Sequence, residues 1–205
     1  MKFLKILAGS FLIFLGFFSS ACVDSARLPL PQDPVLAWNF HQKFLETQQN
    51  WTVTGKAGLS DGVHAEVVDF VWQQQNQEYH IDFYGPLNIK FASLIKDKSG
   101  LFLKTQSDKI FALDPEHLMQ QELGFSLPID GLQHWIIGCP QGKAAKWTLN
   151  KFAYLDTLKE GDWDIRYEDY QPVKGRAFPH QILLKNGRFK AVLRIQKIIV
   201  VQSPF

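Results

Sequence analysis

The chain has 205 residues, with 22 basic against 20 acidic side chains, 46% hydrophobic residues and only two cysteines. Two of the basic residues, Lys2 and Lys5, precede a long apolar run, so the remainder is close to neutral; no basic stripe for nucleic acid and no polybasic membrane patch is present. Two cysteines exclude a disulfide framework, and the length fits one domain of ordinary size with a real core.

The first segment is a leader. Met1 to Lys5 is basic, Ile6 to Phe18 is apolar except for Ser10, and the small residues Ser19, Ser20 and Ala21 follow. That order is a secretory signal peptide over residues 1–21, and the run is shorter than the ~20 apolar residues a membrane span needs. Cleavage after Ala21 leaves Cys22 as the first mature residue. The stretch "FLIFLGFFSSACVDSARLP" resembles the bacterial lipoprotein signal, although Ser19 stands where that signal usually carries Leu. The resemblance implies a diacylglycerol on the Cys22 thiol and an acyl chain on its new amino terminus. The alternative is an ordinary signal peptide with an incidental cysteine. Residues 22–32 read as lipidated cysteine and tether, and 33–205 as a single domain.

The domain opens on a helix. Asp33 is placed as its N-cap and Pro34 in its first turn, and Leu36, Phe40 and Phe44 recur every four residues, which predicts an apolar face and an end near Gln49. From Trp51 the period becomes two. Strands are predicted at 51–59, 65–74, 78–85, 88–95, 100–105 and 109–113, joined by turns such as Ser60-Asp61-Gly62. "VVDFVW" is apolar on both faces, which predicts apolar material on both sides of the sheet. Asp114-Pro115 starts a second helix, with Gly124 placed to cap its end. Asp130 is read as the cap of a third, "GLQHWIIG", closed by Gly138 and Pro140. Strands resume at 146–149, 152–157, 162–170, 180–186 and 189–202, with Asn186-Gly187 as a hairpin turn. The sum is a mainly β fold of about 11 antiparallel strands with helices covering the open side of a curled sheet or incomplete barrel.

No chemistry stands out. His41, His64, His80, His117, His134 and His180 form no metal-ligand spacing, and no nucleophile-elbow or phosphate-loop pattern occurs. The pairs Asp162/Asp164 and Glu168-Asp169 read as solvated strand faces. Cys139 reads as a small buried hydrophobe. The expectation is a protein that is not an enzyme, with no metal and no cofactor beyond the covalent lipid of Cys22. Aromatic residues make up 14% of the chain, with six Trp, which suits an apolar cavity. Candidates for its lining are Trp51, Phe70, Trp72, Phe83, Phe91, Trp135 and Ile136.

Several collinear stretches carry a family likeness: "WTVTGKAGL" (51–59), "FYGPLNIKFASL" (83–94), "GFSLPIDGLQHWIIGCPQG" (124–142), "WDIRYEDY" and the C-terminal "FPHQILLKNGRFKAVLRIQKIIV". Together they resemble the LolB family of outer-membrane lipoproteins. The resemblance implies an incomplete antiparallel barrel lidded by helices over an apolar cavity, as in LolA and LolB. It implies a protein anchored in the outer membrane and facing the periplasm. Such a protein accepts triacylated lipoproteins from a LolA-type periplasmic carrier and inserts them into outer-membrane lipid. It also implies a delivery loop at Pro86-Leu87, with Leu87 matching an exposed leucine of the family. Val23 after Cys22 is compatible with outer-membrane sorting. A monomer without nucleic-acid partners is expected. Three alternatives are a scaffold lipoprotein without an acyl cavity, a soluble carrier, and an enzyme on a lipid-binding barrel.

Overall fold

The computed structural model describes residue 28, residues 30–142 and residues 144–201. The leader and Cys22 lie outside the described residues. Helix α1 (Pro34–Glu46) leads into six strands: β1 (Asn50–Ser60), β2 (Ala65–Gln75), β3 (Glu78–Tyr84), β4 (Lys90–Asp97), β5 (Gly100–Thr105) and β6 (Lys109–Ala112). Helices α2 (Pro115–Leu123) and α3 (Ile129–Trp135) follow. Five further strands complete the chain: β7 (Lys146–Leu149), β8 (Leu155–Glu160), β9 (Trp163–Val173), β10 (Arg176–Asn186) and β11 (Phe189–Val200).

All eleven strands form one antiparallel sheet in the order β6-β5-β4-β3-β2-β1-β11-β10-β9-β8-β7. The first and last strands pair at its centre, so each half is a meander running outward to an edge. The edges are β6 and β7, which are consecutive in sequence yet do not pair. The segment between them, which holds α2 and α3, must therefore cross the open side of the sheet. This connection turns an open sheet into a lidded one without any hydrogen bond closing the barrel. In β1 the residues from Trp51 to Leu59 alternate buried and less buried, as a strand with one covered face should. The ladder slips at Thr54/Gly55, where β11 carries the extra residue Gln196 and bends against β1. A Cβ on Gly55 would lie 2.5 Å from the carbonyl oxygen of Arg194, so this bend needs glycine.

The helix starts are where the sequence puts them. Asp33 Oδ1 accepts from the N–H groups of Val35 and Leu36, both at 3.0 Å. Asp114 does the same for Glu116 and His117, and Gly124 ends α2 with φ +78°. The buried face of α1 differs from the predicted one. Trp38, His41 and Leu45 are buried, whereas Leu36 is 52% and Phe40 64% exposed. The indole of Trp38 packs on Trp147 of β7 at 5.6 Å, which turns the helix away from its four-residue apolar repeat. Helix α3 begins at Ile129 behind Pro128, and Asp130 lies in its first turn instead of capping it. Strand β8 starts at Leu155, three residues late, because Asn150 Oδ1 accepts from the N–H groups of Phe152 and Tyr154 and holds them in a turn. Strand β10 starts four residues early, at Arg176. The expectation of apolar cover on both sides of β2 is also corrected: Phe70 and Trp72 are buried, but Val67 on the other face is 70% exposed.

Candidate functional site

Under α3 lies an apolar interior. Phe70 and Trp72 of β2, Ile81 and Phe83 of β3, and Leu193 of β11 face Leu127, Ile129, Leu132 and Ile136. The space left among them that a water's centre could occupy is about 10 Å³, at the ~10–15 Å³ needed to hold one water molecule. The interior is thus closed by its own side chains. Of the seven residues expected from the sequence, Phe70, Trp72, Phe83 and Ile136 line it. Trp51 is buried beside it, with its ring 5.5 Å from that of Trp72. Phe91 is half-buried and stacks behind Phe83 at 6.4 Å. Trp135 points to the far side of α3, where Nε1 donates to Glu160 Oε2 at 2.8 Å and the ring lies 6.0 Å from Trp163. Sequence reasoning missed Ile81, Leu127, Ile129, Leu132 and Leu193. The signal for Ile81 was its place two residues before Phe83 on the same strand face.

Polar bonds hold α3 against the sheet at both margins. On one side Trp72 Nε1 donates to Gln74 Oε1 at 2.9 Å. Gln74, itself buried, donates from Nε2 to the carbonyl of Asn76 at 2.7 Å and to Gln133 Oε1 on α3 at 3.4 Å. On the other side the Glu160 carboxylate accepts from Trp135, from the N–H of Gln141 at 3.1 Å and from the N–H of Gly142. It thereby fixes the loop that follows α3 to the end of β8. Outside the first margin lies a recess of about 940 Å³, lined by the α1–β1 link, the β2–β3 turn, α3 and the loop after it. Burial holds the His134 pKa there below the usual imidazole value. Burial, with the nearby Glu46 and Glu160 carboxylates, pushes the Cys139 thiol up to about 12, so it stays protonated.

The β3–β4 connection is a single turn at Pro86–Asn88. The Gly85 N–H donates to the carbonyl of Ile89 at 3.0 Å, which pins the base of the loop. Leu87 at its tip has φ +61° and ψ +20° and is 91% exposed; Asn88 is left-handed as well. An L-residue in this conformation costs roughly 1–2 kcal/mol relative to the right-handed region. A large apolar side chain is thus held in water on a backbone that glycine would fit better.

The face of β7–β11 turned away from the helices has a groove of about 530 Å³, lined in part by Leu183 and Val192 and by Lys146, Lys159, Lys185 and Lys190. Asp164 there pairs with Lys159 at 3.0 Å, and Gln181 donates to Glu168, both acids being on β9, whereas Asp162 lies in the β8–β9 turn and not on a strand face beside Asp164. Among the described residues no group of three His, Cys, Asp or Glu is placed to hold a metal ion.

Residues 49–199 match a family described as outer membrane lipoprotein LolB. An outer-membrane lipoprotein LolB of Psychromonas ingrahamii is 30% identical over 198 residues, covering 91% of this chain and 95% of its own. That of Nitrosococcus oceani is 29% identical over 173 residues, covering 82% and 86%. Among solved structures, a LolA superfamily protein from Nitrosomonas europaea superposes with a TM-score of 0.51 at 10% identity, over 83% of this chain and 94% of that one. A DUF1329 family protein from Desulfovibrio piger gives 0.53 at 8% identity, over 82% and 93%.

Proposed function

The chain belongs to the LolB family of outer-membrane lipoproteins, and from that premise we propose that it accepts triacylated lipoproteins from a LolA-type periplasmic carrier and inserts them into the outer membrane. The observation that carries this reading is the lid. The two sheet edges are bridged by α2 and α3, which close over an apolar interior of aromatic and aliphatic side chains. Acyl chains are the ligand such an interior suits. Each buried methylene contributes ~0.8 kcal/mol, which makes a free lipoprotein insoluble in water and a protein shield necessary. An acceptor that holds the chains better than the carrier, and less well than a bilayer, passes them on without an energy source. A difference of ~1.4 kcal/mol per step gives a tenfold bias.

Cys22 carries the anchor in this reading. A diacylglycerol and an N-acyl chain hold the domain at the periplasmic face of the outer membrane, since stable anchoring takes more than one acyl chain. Residues 23–32 are then the tether. Pro86 and Leu87 form the delivery loop: Leu87 enters the lipid, and its strained, outward backbone keeps the side chain from folding back onto the body.

The test is transfer from a LolA-type carrier loaded with a labelled lipoprotein to vesicles bearing the full-length, lipidated protein. Label is expected to reach the vesicles, and protein-free vesicles should take up little. Leu87→Glu is expected to trap the label on the protein. Leu87→Gly is expected to lose delivery while leaving stability unchanged or up to about 1 kcal/mol higher, because glycine relieves the left-handed backbone at some entropic cost. Label that stays on the carrier, while an established LolB takes it, would sink the acceptor reading.

A further inference from the structure

We propose that the recess beside α3 is a second subsite, which binds the peptide backbone of the incoming lipoprotein just after its acylated cysteine. This rests on the acyl-acceptor reading and says what lies outside the acyl chains. The recess of about 940 Å³ is at the upper end of the ~300–1,000 Å³ usual for small-ligand pockets, enough for a few extended residues. It shares a wall with the apolar interior. Leu132 and Ile136 of α3 face inward, whereas Gln133 and the following Ile137 line the recess. Trp51 lines the recess and touches Trp72, which lines the interior. A ligand with its acyl chains inside would leave its polar end here.

The chemistry of the lining selects for peptide. Gln49, Gln77 and Gln141 bring solvent-exposed side-chain amides from three separate connections and Gln75 a fourth from the end of β2, and among the described residues these four side chains make no hydrogen bond, although the backbones of Gln49 and Gln141 do. Each amide offers two donors and a carbonyl acceptor, the same pair of functions that a peptide backbone presents. The flanking charges, Glu46, Glu78 and Lys98, are of both signs, so the lining favours neither acidic nor basic side chains. Backbone recognition is independent of sequence. That is the property required of an acceptor that handles many lipoproteins sharing only an acylated cysteine. Gln133 links the two sites, since its amide already takes a bond from the buried Gln74 behind Trp72.

Two photoreactive probes test this on the full-length, lipidated protein, each delivered by a LolA-type carrier. One is a tripalmitoyl-cysteinyl peptide with a diazirine on the second residue after the cysteine. The other is the same lipopeptide with the diazirine at the tip of an acyl chain. The peptide probe is expected to label the β2–β3 turn, α3 or residues 139–141, and the acyl probe the interior around Phe70 and Leu132. The double variant Gln75→Ala/Gln141→Ala should lower peptide-probe labelling about tenfold, the worth of one or two net hydrogen bonds, and leave acyl-probe labelling unchanged. Acyl labelling inside, with peptide labelling scattered or on the outer face of β7–β11, would overturn the subsite and leave the acceptor reading standing. Absence of acyl labelling inside would overturn the acceptor reading and the subsite with it.

Discussion

His41 is a titratable side chain buried among aromatic rings. It sits on the buried face of α1, its ring 4.8 Å edge-on from Tyr154 and 6.4 Å from Phe44. Burial first, and the Arg176 guanidinium second, lower its pKa from 6.5 to about 4. The folded protein therefore keeps His41 neutral in a range where the unfolded chain protonates it. Between pH 6.5 and 4 the unfolded state binds more protons, so stability falls as pH falls through that window, by up to about 3 kcal/mol. His41→Phe keeps a ring in an aromatic cluster and removes the proton. Urea unfolding at pH 7.5 and 4.5 should show a smaller loss for His41→Phe than for the parent. The difference isolates His41 from carboxylates such as Asp82, whose pKa is also depressed but which lose their contribution only at lower pH. Equal losses in the two proteins would remove His41 as the cause.

Helix α3 is short and depends on what lies around it. Its Gly131 lies under the indole of Trp135, one turn on, so that a Cβ there would run into the ring. The ring cannot yield, because it is buried and tied to Glu160. Helix propensity alone favours Gly131→Ala by about 1 kcal/mol. Overpacking and the loss of the Trp135–Glu160 bond outweigh this, and a net destabilisation of about 2 kcal/mol is expected in denaturant titrations. A stabilised variant would mean that the indole is free to move. The same helix marks the limit of what patterns reveal. Its existence was legible from the apolar run and Gly138, but its start was not, since Pro128 occupies the N-cap position assigned to Asp130 and makes no side-chain capping bond there. The strands of the first half were legible almost to the residue, because alternation and turn residues are local. The burial of α1 was not: Leu36, Phe40 and Phe44 form as good a repeat as Trp38, His41 and Leu45, and a contact with Trp147, far along the chain, decides between them. The interior was legible in part for the same reason. Aromatic residues on β2 and β3 announced themselves, whereas the aliphatic half on α3 and β11 acquires its meaning only when the lid is placed.

The topology sets how the molecule could open. Strands β1 and β11 pair at the centre over nearly their full length, so the sheet is continuous there and each edge strand has a free side. The lid, by contrast, is held by side-chain packing and a few polar bonds, with no strand pairing to break. An interior with room for about one water's centre, about 10 Å³, does not take an acyl chain, so in the proposed function loading separates α3 from β2 and β3. The transferred chains would replace the contacts that Leu132 and Ile136 give up, which keeps the opening close to balanced in free energy. Spin labels on His134→Cys of α3 and Gln73→Cys of β2 report this distance. The buried Cys139 thiol, with its pKa near 12, should not compete for the label. The distance is expected to lengthen by several ångströms on loading with a triacylated lipopeptide, while a pair placed on β1 and β2, at Lys56 and Gln73, stays constant. A loaded protein with an unchanged α3–β2 distance would mean that the chains do not enter under the lid. The lysine-rimmed groove along β7–β11, with Leu183 and Val192 in its lining, would then be the apolar surface left to hold them.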